Sequence, residues 1–198
     1  IRSSAFFKRL MDIILAFAAL ILGSPVLLIT ALLVKITSPG PIIFSQVRVG
    51  KYGRHFKFYK FRSMYIDAEA RKAELLKHNE SGDGVIFKMK RDPRITPFGR
   101  FIRKFSIDEL PQLWNVLKGE MSLVGPRPPL PREVESYSDY HKQRLSVIPG
   151  CTGLWQVTGR SSVGFEKMVE LDLYYIRKRH FFYDIKIICK QLNIFPKK

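Results

Sequence analysis

Residues 13–34 read IILAFAALILGSPVLLITALLV, a run of 22 residues without a formal charge, closed by Asp12 on one side and Lys35 on the other. At about 1.5 Å per residue, a helix of that length just spans a hydrocarbon core of about 30 Å. Gly23-Ser24-Pro25 falls at its centre. There Pro25 removes a helix hydrogen bond and clashes with the preceding turn. Basic residues flank both ends, with Arg2, Lys8 and Arg9 before the run and Lys35, Arg48 and Lys51 after it. Positive charge prefers the cytoplasmic side, so both ends are expected on that face. Each half has only about 11 residues, enough for one leaflet. The run therefore predicts a re-entrant helix-break-helix over residues 1–36, kinked at Ser24-Pro25. A straight span with a tolerated proline is the alternative. A signal peptide fits less well, because the run is too long and no small-residue cleavage site follows it.

The rest of the chain bounds the partner. The 198 residues suit one domain with a real core, and 46% hydrophobic residues exclude disorder. A formal charge of +17 implies an anionic partner: nucleic acid, an acidic membrane surface or a phosphorylated substrate. Cys151 and Cys189 cannot build a disulfide framework or a zinc site, and they suit a reducing compartment. His55, His78, His141 and His180 show no metal-ligand spacing. Because it starts at Ile1 rather than Met, the sequence reads as a fragment, and upstream segments stay open.

Thr37-Ser38-Pro39-Gly40-Pro41 cannot continue a helix and marks a boundary between residues 1–36 and a second domain at 37–198. Residues 42–49, a glycine-bearing turn at 50–53, and alternating residues from His55 to Tyr59 predict a β-hairpin. Helices are expected at 64–79, 97–104, 107–118, 131–146 and 164–192, with a loop at 80–85 and a turn at Arg91-Asp92-Pro93-Arg94. The last helix interleaves Phe165, Tyr174, Phe181 and Phe182 with Arg177, Lys178 and Lys186. It reads either as a helix on an anionic membrane surface or as a core helix with a solvated basic face. No internal repeat is visible.

In this basic chain the acidic pair Asp108-Glu109 stands out. It opens SIDELPQLWNVLKGEMSLVGPRP at 106–128 and is flanked by Arg103, Lys104 and Arg127. Ser106 and Glu109 have capping-box spacing, which alone reads as an ordinary helix start. Such a start also presents free N–H groups and partial positive charge, so a carboxylate held there stays ionised beside a phosphate. Arg127 is fixed between Pro126 and Pro128, and that rigidity reduces the entropy lost on binding. Lys60, Arg62 and Arg103 are further candidates for phosphate contact; taken singly, each reads as a solvated charge. PGCTGLWQVTGRS at 149–161 carries three glycines in a loop, which reads as structural or as a nucleotide or sugar contact; it is not a P-loop.

KFRSM (60–64), DPRITPFGRFIRKFSIDELPQLWNVLKGEMSLVGPRP (92–128), PGCTGLWQVTGRS (149–161) and VELDLYYI (169–176) together resemble a known family. It is the bacterial sugar transferases, the monotopic polyprenyl-phosphate phosphoglycosyl transferases of the exopolysaccharide and O-antigen initiating branch. The resemblance covers nearly the whole chain. It implies transfer of a sugar 1-phosphate from a nucleotide sugar, usually a UDP-sugar, to undecaprenyl phosphate. UMP is released, Mg²⁺ is required, and the enzyme sits in the bacterial inner membrane with its catalytic domain on the cytoplasmic face, among phospholipids. The implied fold is α+β and mainly helical. A re-entrant membrane helix-break-helix, broken at Ser24-Pro25, precedes a small globular domain with a β-hairpin and membrane-interfacial amphipathic helices.

Residue by residue, the resemblance makes Asp108 the nucleophile that attacks the β-phosphorus, giving a phosphosugar-aspartyl intermediate and ping-pong kinetics. Glu109 matches the second acid, a base or a metal-positioning group, and the pair is the implied Mg²⁺ site. Arg127 matches the phosphate-binding arginine, and Lys60 and Arg103 match basic site positions, with Arg62 beside them. Gln156 and Arg160 match positions that face the nucleotide sugar, and Asp172 matches a family acid of open role. Ile107 and Glu120 depart from the commoner leucine and aspartate, and Arg177-Lys178-Arg179-His180 is unusually basic. Part of the family's tail is expected to be missing. A nucleic-acid-binding module fits the charge but not the uncharged run or the dyad. A non-enzymatic membrane anchor leaves the dyad and the Pro-Arg-Pro turn without a job. The sugar and the oligomeric state stay open.

Overall fold

The computed structural model describes residues 2–75, 92–158 and 164–192. The expected loop at 80–85, Arg91 and Arg160 lie outside them. Helix α1 (Arg2–Leu22) and helix α2 (Ser24–Thr37) meet at a bend of 62°. No single described helix is long and apolar enough to cross a membrane, but this bent pair is so by length and composition. The break falls on Gly23, one residue before the expected Ser24-Pro25. Gly23 still donates to Ala19 O, and a Cβ there would sit 2.7 Å from that oxygen. Ser24 and Pro25 instead open α2, where a missing N–H costs nothing.

The two helices are not equivalent. Phe17, Leu22, Leu28, Leu32 and Ile36 are all more than half exposed, leaving an apolar surface along the pair. The first half of α1, by contrast, grips the rest of the protein. Lys8 Nζ donates to Asp184 at 2.6 Å, and Arg9 donates to the carbonyls of Val116 and Leu117. Asp12 accepts from the Leu123 N–H at 3.1 Å, and Ala16 is fully buried among Phe58, Leu113, Val116 and Met121. Two of the basic residues expected to flank the apolar run are therefore spent on internal contacts.

Strands β1 (Ile43–Val49) and β2 (His55–Phe61) form the expected antiparallel hairpin, in register from Ile43–Phe61 to Val49–His55. Helix α3 (Ala68–Leu75) is the described part of the helix expected at 64–79; Met64 instead bridges to Ile95. Helix α4 (Pro97–Lys104) starts as expected, with Thr96 Oγ1 accepting from the Gly99 N–H at 2.8 Å. The helix expected at 107–118 is divided. Ile107–Glu109 form one 3₁₀ turn, and α5 (Gln112–Lys118) begins only after Pro111, which has no N–H to donate into a continuous helix, although Leu110 and Pro111 both keep helical dihedrals. The helix expected at 131–146 also breaks, into α6 (Pro131–Glu135), α7 (Asp139–Lys142) and a 3₁₀ turn at Gln143–Ser146. Ser138 starts α7 by accepting from the His141 N–H, a cap that overrides continuous helical patterning.

Strand β3 (Ser122–Val124) runs parallel to β4 (Gly150–Thr152), a pairing the sequence reading missed. Parallel strands need a crossover, and α6 and α7 supply it. The segment at 149–161, expected as a loop, holds β4 followed by α8 (Leu154–Thr158) in its described part. Gly150 and Gly153 serve packing: a Cβ on Gly150 would lie 2.0 Å from the Gly125 nitrogen, and one on Gly153 2.6 Å from the Gly125 oxygen. The helix expected at 164–192 is two, α9 (Phe165–Lys178) and α10 (Phe181–Gln191), because His180 Nδ1 accepts from the Tyr183 N–H and restarts the helix. Tyr175 and Ile187 pack on Val124, tying this pair to the β3–β4 ladder.

The fold is thus mostly helical with a small hairpin. Phe61 and Ile102 bury Val34 of α2, so the hairpin and α4 sit directly against the N-terminal pair.

Candidate active site

α4 ends on the way into the acidic pair, and one strained residue sets the turn. Ser106 adopts the left-handed conformation at φ 57°, which costs a non-glycine residue about 1–2 kcal/mol. The expected capping box is absent: Ser106 makes no side-chain cap bond. The left-handed residue instead redirects the chain, so that Asp108 is buried, while Glu109, next to it, keeps an exposed surface although its carboxyl is partly desolvated. The two carboxylates meet different surroundings, as adjacent positions in a helical turn require.

Three cations act on this pair. Lys60, near the end of β2, lies 5.4 Å over the Phe44 ring and feels Arg103, Asp108 and Glu109. Burial pulls its ammonium below the ordinary lysine range, the Arg103 charge pulls it further, and the carboxylates oppose both. Arg103 is exposed in the last turn of α4. Burial pushes Asp108 above the usual carboxylate range against the pull of Lys60 and Arg103. Glu109 is pushed up by desolvation and then by Asp108, while Lys60, Arg127 and Arg103 pull it down. Desolvation is thus opposed at Asp108 by the two cations and by a bond from its own backbone N–H. Among the described residues, no other side chain holds either carboxylate by a hydrogen bond.

Arg127 stands in the expected turn, partly exposed, with Nη1 3.8 Å from Glu133 Oε2. Glu133 in turn accepts from the Leu130 N–H at 2.8 Å and starts α6. Lys60 and Arg103 thus act on both carboxylates, and Arg127 acts on Glu109.

Other expected residues are used elsewhere. Arg62 is buried, and its guanidinium donates to the carbonyls of Ser38 at 2.7 Å and of Pro39. It closes the C-terminal end of α2 rather than joining the dyad. Asp172, on α9, accepts from Arg144 Nη2 at 2.5 Å with both side chains almost fully buried. Burial pushes its carboxyl up to about 6, against the pull of Arg144 and, more weakly, of Arg127. Gln156 lies on α8 with its Oε1 buried and without a partner among the described residues. Ser24 and Pro25 stand at the bend. Arg144, Glu133 and Arg48 were missed by sequence reasoning. Pro131 followed by Glu133 was a legible helix-start signal, whereas Arg144 stood among ordinary surface-type residues.

Among the described residues, no group of three or more His, Cys, Asp or Glu could hold a metal. Two adjacent carboxylates nonetheless match the habit of Mg²⁺, which takes one or two carboxylates and completes its shell with waters and phosphate oxygens. The donor chemistry of Asp108 and Glu109 fits that ion.

The family model for bacterial sugar transferases matches residues 3–198. The chain is 50% identical over 94% of its length to the galactosyl transferase CpsE of Streptococcus agalactiae, covering 41% of that protein. It is 45% identical over 98% of its length to the undecaprenyl-phosphate galactose phosphotransferase of Salmonella typhimurium, again covering 41%. It is also 45% identical, over 92% of its length, to a UDP-glucose:undecaprenyl-phosphate glucose-1-phosphate transferase of Klebsiella pneumoniae, covering 38%. The chain therefore spans about two fifths of the length of these curated relatives.

Proposed function

From the premise that this chain belongs to the bacterial sugar transferase family, we propose that it moves a sugar 1-phosphate from a UDP-hexose to undecaprenyl phosphate and releases UMP. The carrying observation is the buried Asp108 with Glu109, within reach of Lys60, Arg103 and Arg127. The named relatives act on galactose and glucose donors, which supports a hexose donor. The reaction would be the first membrane step of surface polysaccharide assembly.

In the mechanism, an Asp108 carboxylate oxygen attacks the β-phosphorus of the donor. The bond from that phosphorus to the bridging oxygen breaks, and UMP leaves with the electron pair. The sugar phosphate is then held on Asp108 as an acyl phosphate. An oxygen of undecaprenyl phosphate attacks the same phosphorus and frees the carboxylate. Arg127, Lys60 and Arg103 offset the charge of the phosphates, the main demand of phosphoryl transfer. The burial of Asp108 leaves it poorly solvated and so more nucleophilic than an exposed carboxylate. Mg²⁺, held by Glu109 with Asp108, supplies a further positive charge at the diphosphate when bound.

The apolar surface of α1 and α2 and their 62° bend support a re-entrant hairpin over residues 1–36 that enters and leaves by the cytoplasmic face of the bacterial inner membrane. Phospholipid would then cover the exposed leucines and phenylalanines.

A panel of UDP-sugars with undecaprenyl phosphate and Mg²⁺, read by UMP release, tests the activity. No release from any donor would sink it. With a donor labelled at the β-phosphorus, Asp108→Asn is expected to take no label, and a labelled variant would move the nucleophile elsewhere. Tags at both ends of residues 1–36 are expected to stay protected in intact cells; a tag exposed outside would indicate a full span.

A further inference from the structure

The turn that carries Arg127 is held through its main chain from several sides. Pro126 O accepts from the Gly150 N–H at 2.9 Å, and Pro129 O accepts from the Val49 N–H at 2.9 Å. Pro128 O accepts from Arg48 Nη1 at 3.0 Å. The remaining carbonyl, that of Arg127 itself, accepts from Arg144 Nη2 at 3.4 Å. Four consecutive carbonyls thus meet donors from β4, β1 and the 3₁₀ turn at 143–146.

Arg144 is tied on its other contacts. Nη2 also reaches Asp172 Oδ2 at 2.5 Å, and Nη1 donates to the Tyr137 hydroxyl at 2.8 Å. Tyr137 is itself buried among Phe165, Met168, Val169 and Leu173. Nη2 thus serves both Asp172 on α9 and the Arg127 carbonyl, while Nη1 is held on the buried Tyr137.

We propose that Arg144 is a positioning residue for Arg127, and that Asp172 serves as the counter-ion that keeps Arg144 in place. The proposal rests on the reading of Arg127 as a donor-phosphate ligand. A purely stabilising role explains the cluster poorly. Stripping water from two charges costs about as much as their attraction returns, and hydrophobic residues of similar volume commonly do as well or better. Here Arg144 Nε is also buried without a partner among the described residues, a further cost. What a buried fork supplies that an apolar residue cannot is direction. With its carbonyl pinned and a proline on each side, the Arg127 backbone presents its guanidinium from a fixed point, so less freedom is lost when the diphosphate binds. The family acid of open role then has one: Asp172 acts at one remove from the substrate's ligand, through Arg144 and the Arg127 carbonyl.

The test is a double-mutant cycle on the full chain in detergent, read by donor KM, kcat and thermal midpoint. Arg144→Lys keeps a positive charge for Asp172, but one compact ammonium cannot serve Asp172, Tyr137 and the Arg127 carbonyl together. The expected result is a donor KM raised about tenfold, with kcat and the undecaprenyl phosphate KM changed less than about twofold. In an Arg127→Ala background the same substitution is expected to change donor KM less than about twofold. An equal KM change in both backgrounds would overturn the proposal, as would a lowered midpoint with unchanged KM in the wild-type background. Should Arg144→Lys fail to fold, Tyr137→Phe removes only the hydroxyl acceptor and is expected to show the same dependence on Arg127, with a smaller KM change. A wild-type chain that releases no UMP from any donor would instead overturn the transferase reading itself.

Discussion

Two acid–cation clusters lie on either side of the Pro-Arg-Pro turn, and they are built in opposite ways. At the dyad, Asp108 and Glu109 sit in the field of Lys60, Arg103 and Arg127, yet no other described side chain bonds to either carboxylate. At the second cluster, Asp172 and Arg144 are sealed and bonded to each other, with Tyr137 as a third partner. The first leaves its charges uncommitted, so an incoming diphosphate and a metal can complete them. The second is sealed from any ligand, although Arg144 Nε has no partner among the described residues. Both are acids beside arginines in a chain of charge +17, and residue type alone does not separate them. Completion by a ligand or by the protein does.

That contrast can be broken in graded ways. The largest effect is expected from Asp108→Asn. Turnover should fall by at least about three orders of magnitude, the usual range for losing a nucleophile that acts as part of a unit. The thermal midpoint should hold or rise, because a poorly solvated charge is removed. A fall of several degrees would mean that Asp108 is structural, like Asp172. Asp172→Ala should do the reverse. It strands Arg144 in the interior at a cost of about 3–5 kcal/mol, which calorimetry should read as a midpoint lowered by on the order of 10 °C. The folded fraction should still take label on Asp108. Loss of labelling in well-folded protein would place Asp172 in the chemistry.

Salt should separate the clusters next. Raising ionic strength from about 0.05 to 0.5 M shortens the Debye length below the spacing of the partly exposed cations. Donor KM is then expected to rise several-fold in steady-state assays, while the midpoint difference between wild type and Asp172→Ala stays constant. The smallest effect is on pH. Asp108 and Glu109 are pushed above the ordinary carboxylate range, so their ionised forms are lost as pH falls through those raised values. The acid limb of UMP release should therefore lie above the 3.9 or so of a free aspartate. Lys60 is pulled down, so its charge is lost at lower pH than that of a free lysine, and the alkaline limb moves inward. An acid limb at the free-aspartate value would show that the dyad is solvated in the working enzyme.

Much of the molecule was legible from short stretches. The hairpin followed from alternation and a glycine-bearing turn, and α4 fills the expected range 97–104. The bend followed from proline chemistry, displaced by one residue onto Gly23 because a helix tolerates proline in its first turn. Longer helical stretches were over-read at 131–146 and 164–192. There Ser138 and His180 cap new helices inside patterns that periodicity alone would continue. The β3–β4 ladder was invisible because its strands are three residues each and lie far apart in sequence. The glycines at 125 and 150 were its one local sign, read instead as parts of separate motifs.

By itself, then, the sequence determined the elements whose cause lies within a turn or two: the uncharged run and its break, the hairpin, the acidic pair and the proline-locked arginine. Only the tertiary structure decided which charge belongs to which partner. Lys8 looked like a membrane flank and pairs with Asp184, 176 positions away. Arg62 looked like a phosphate ligand and closes α2, while Asp172 looked like a site acid and holds Arg144. The physical reason is range. Backbone hydrogen bonding and periodicity are fixed by neighbours along the chain, whereas the strength and the role of an ion pair depend on burial and on contacts that exist only once distant segments have packed.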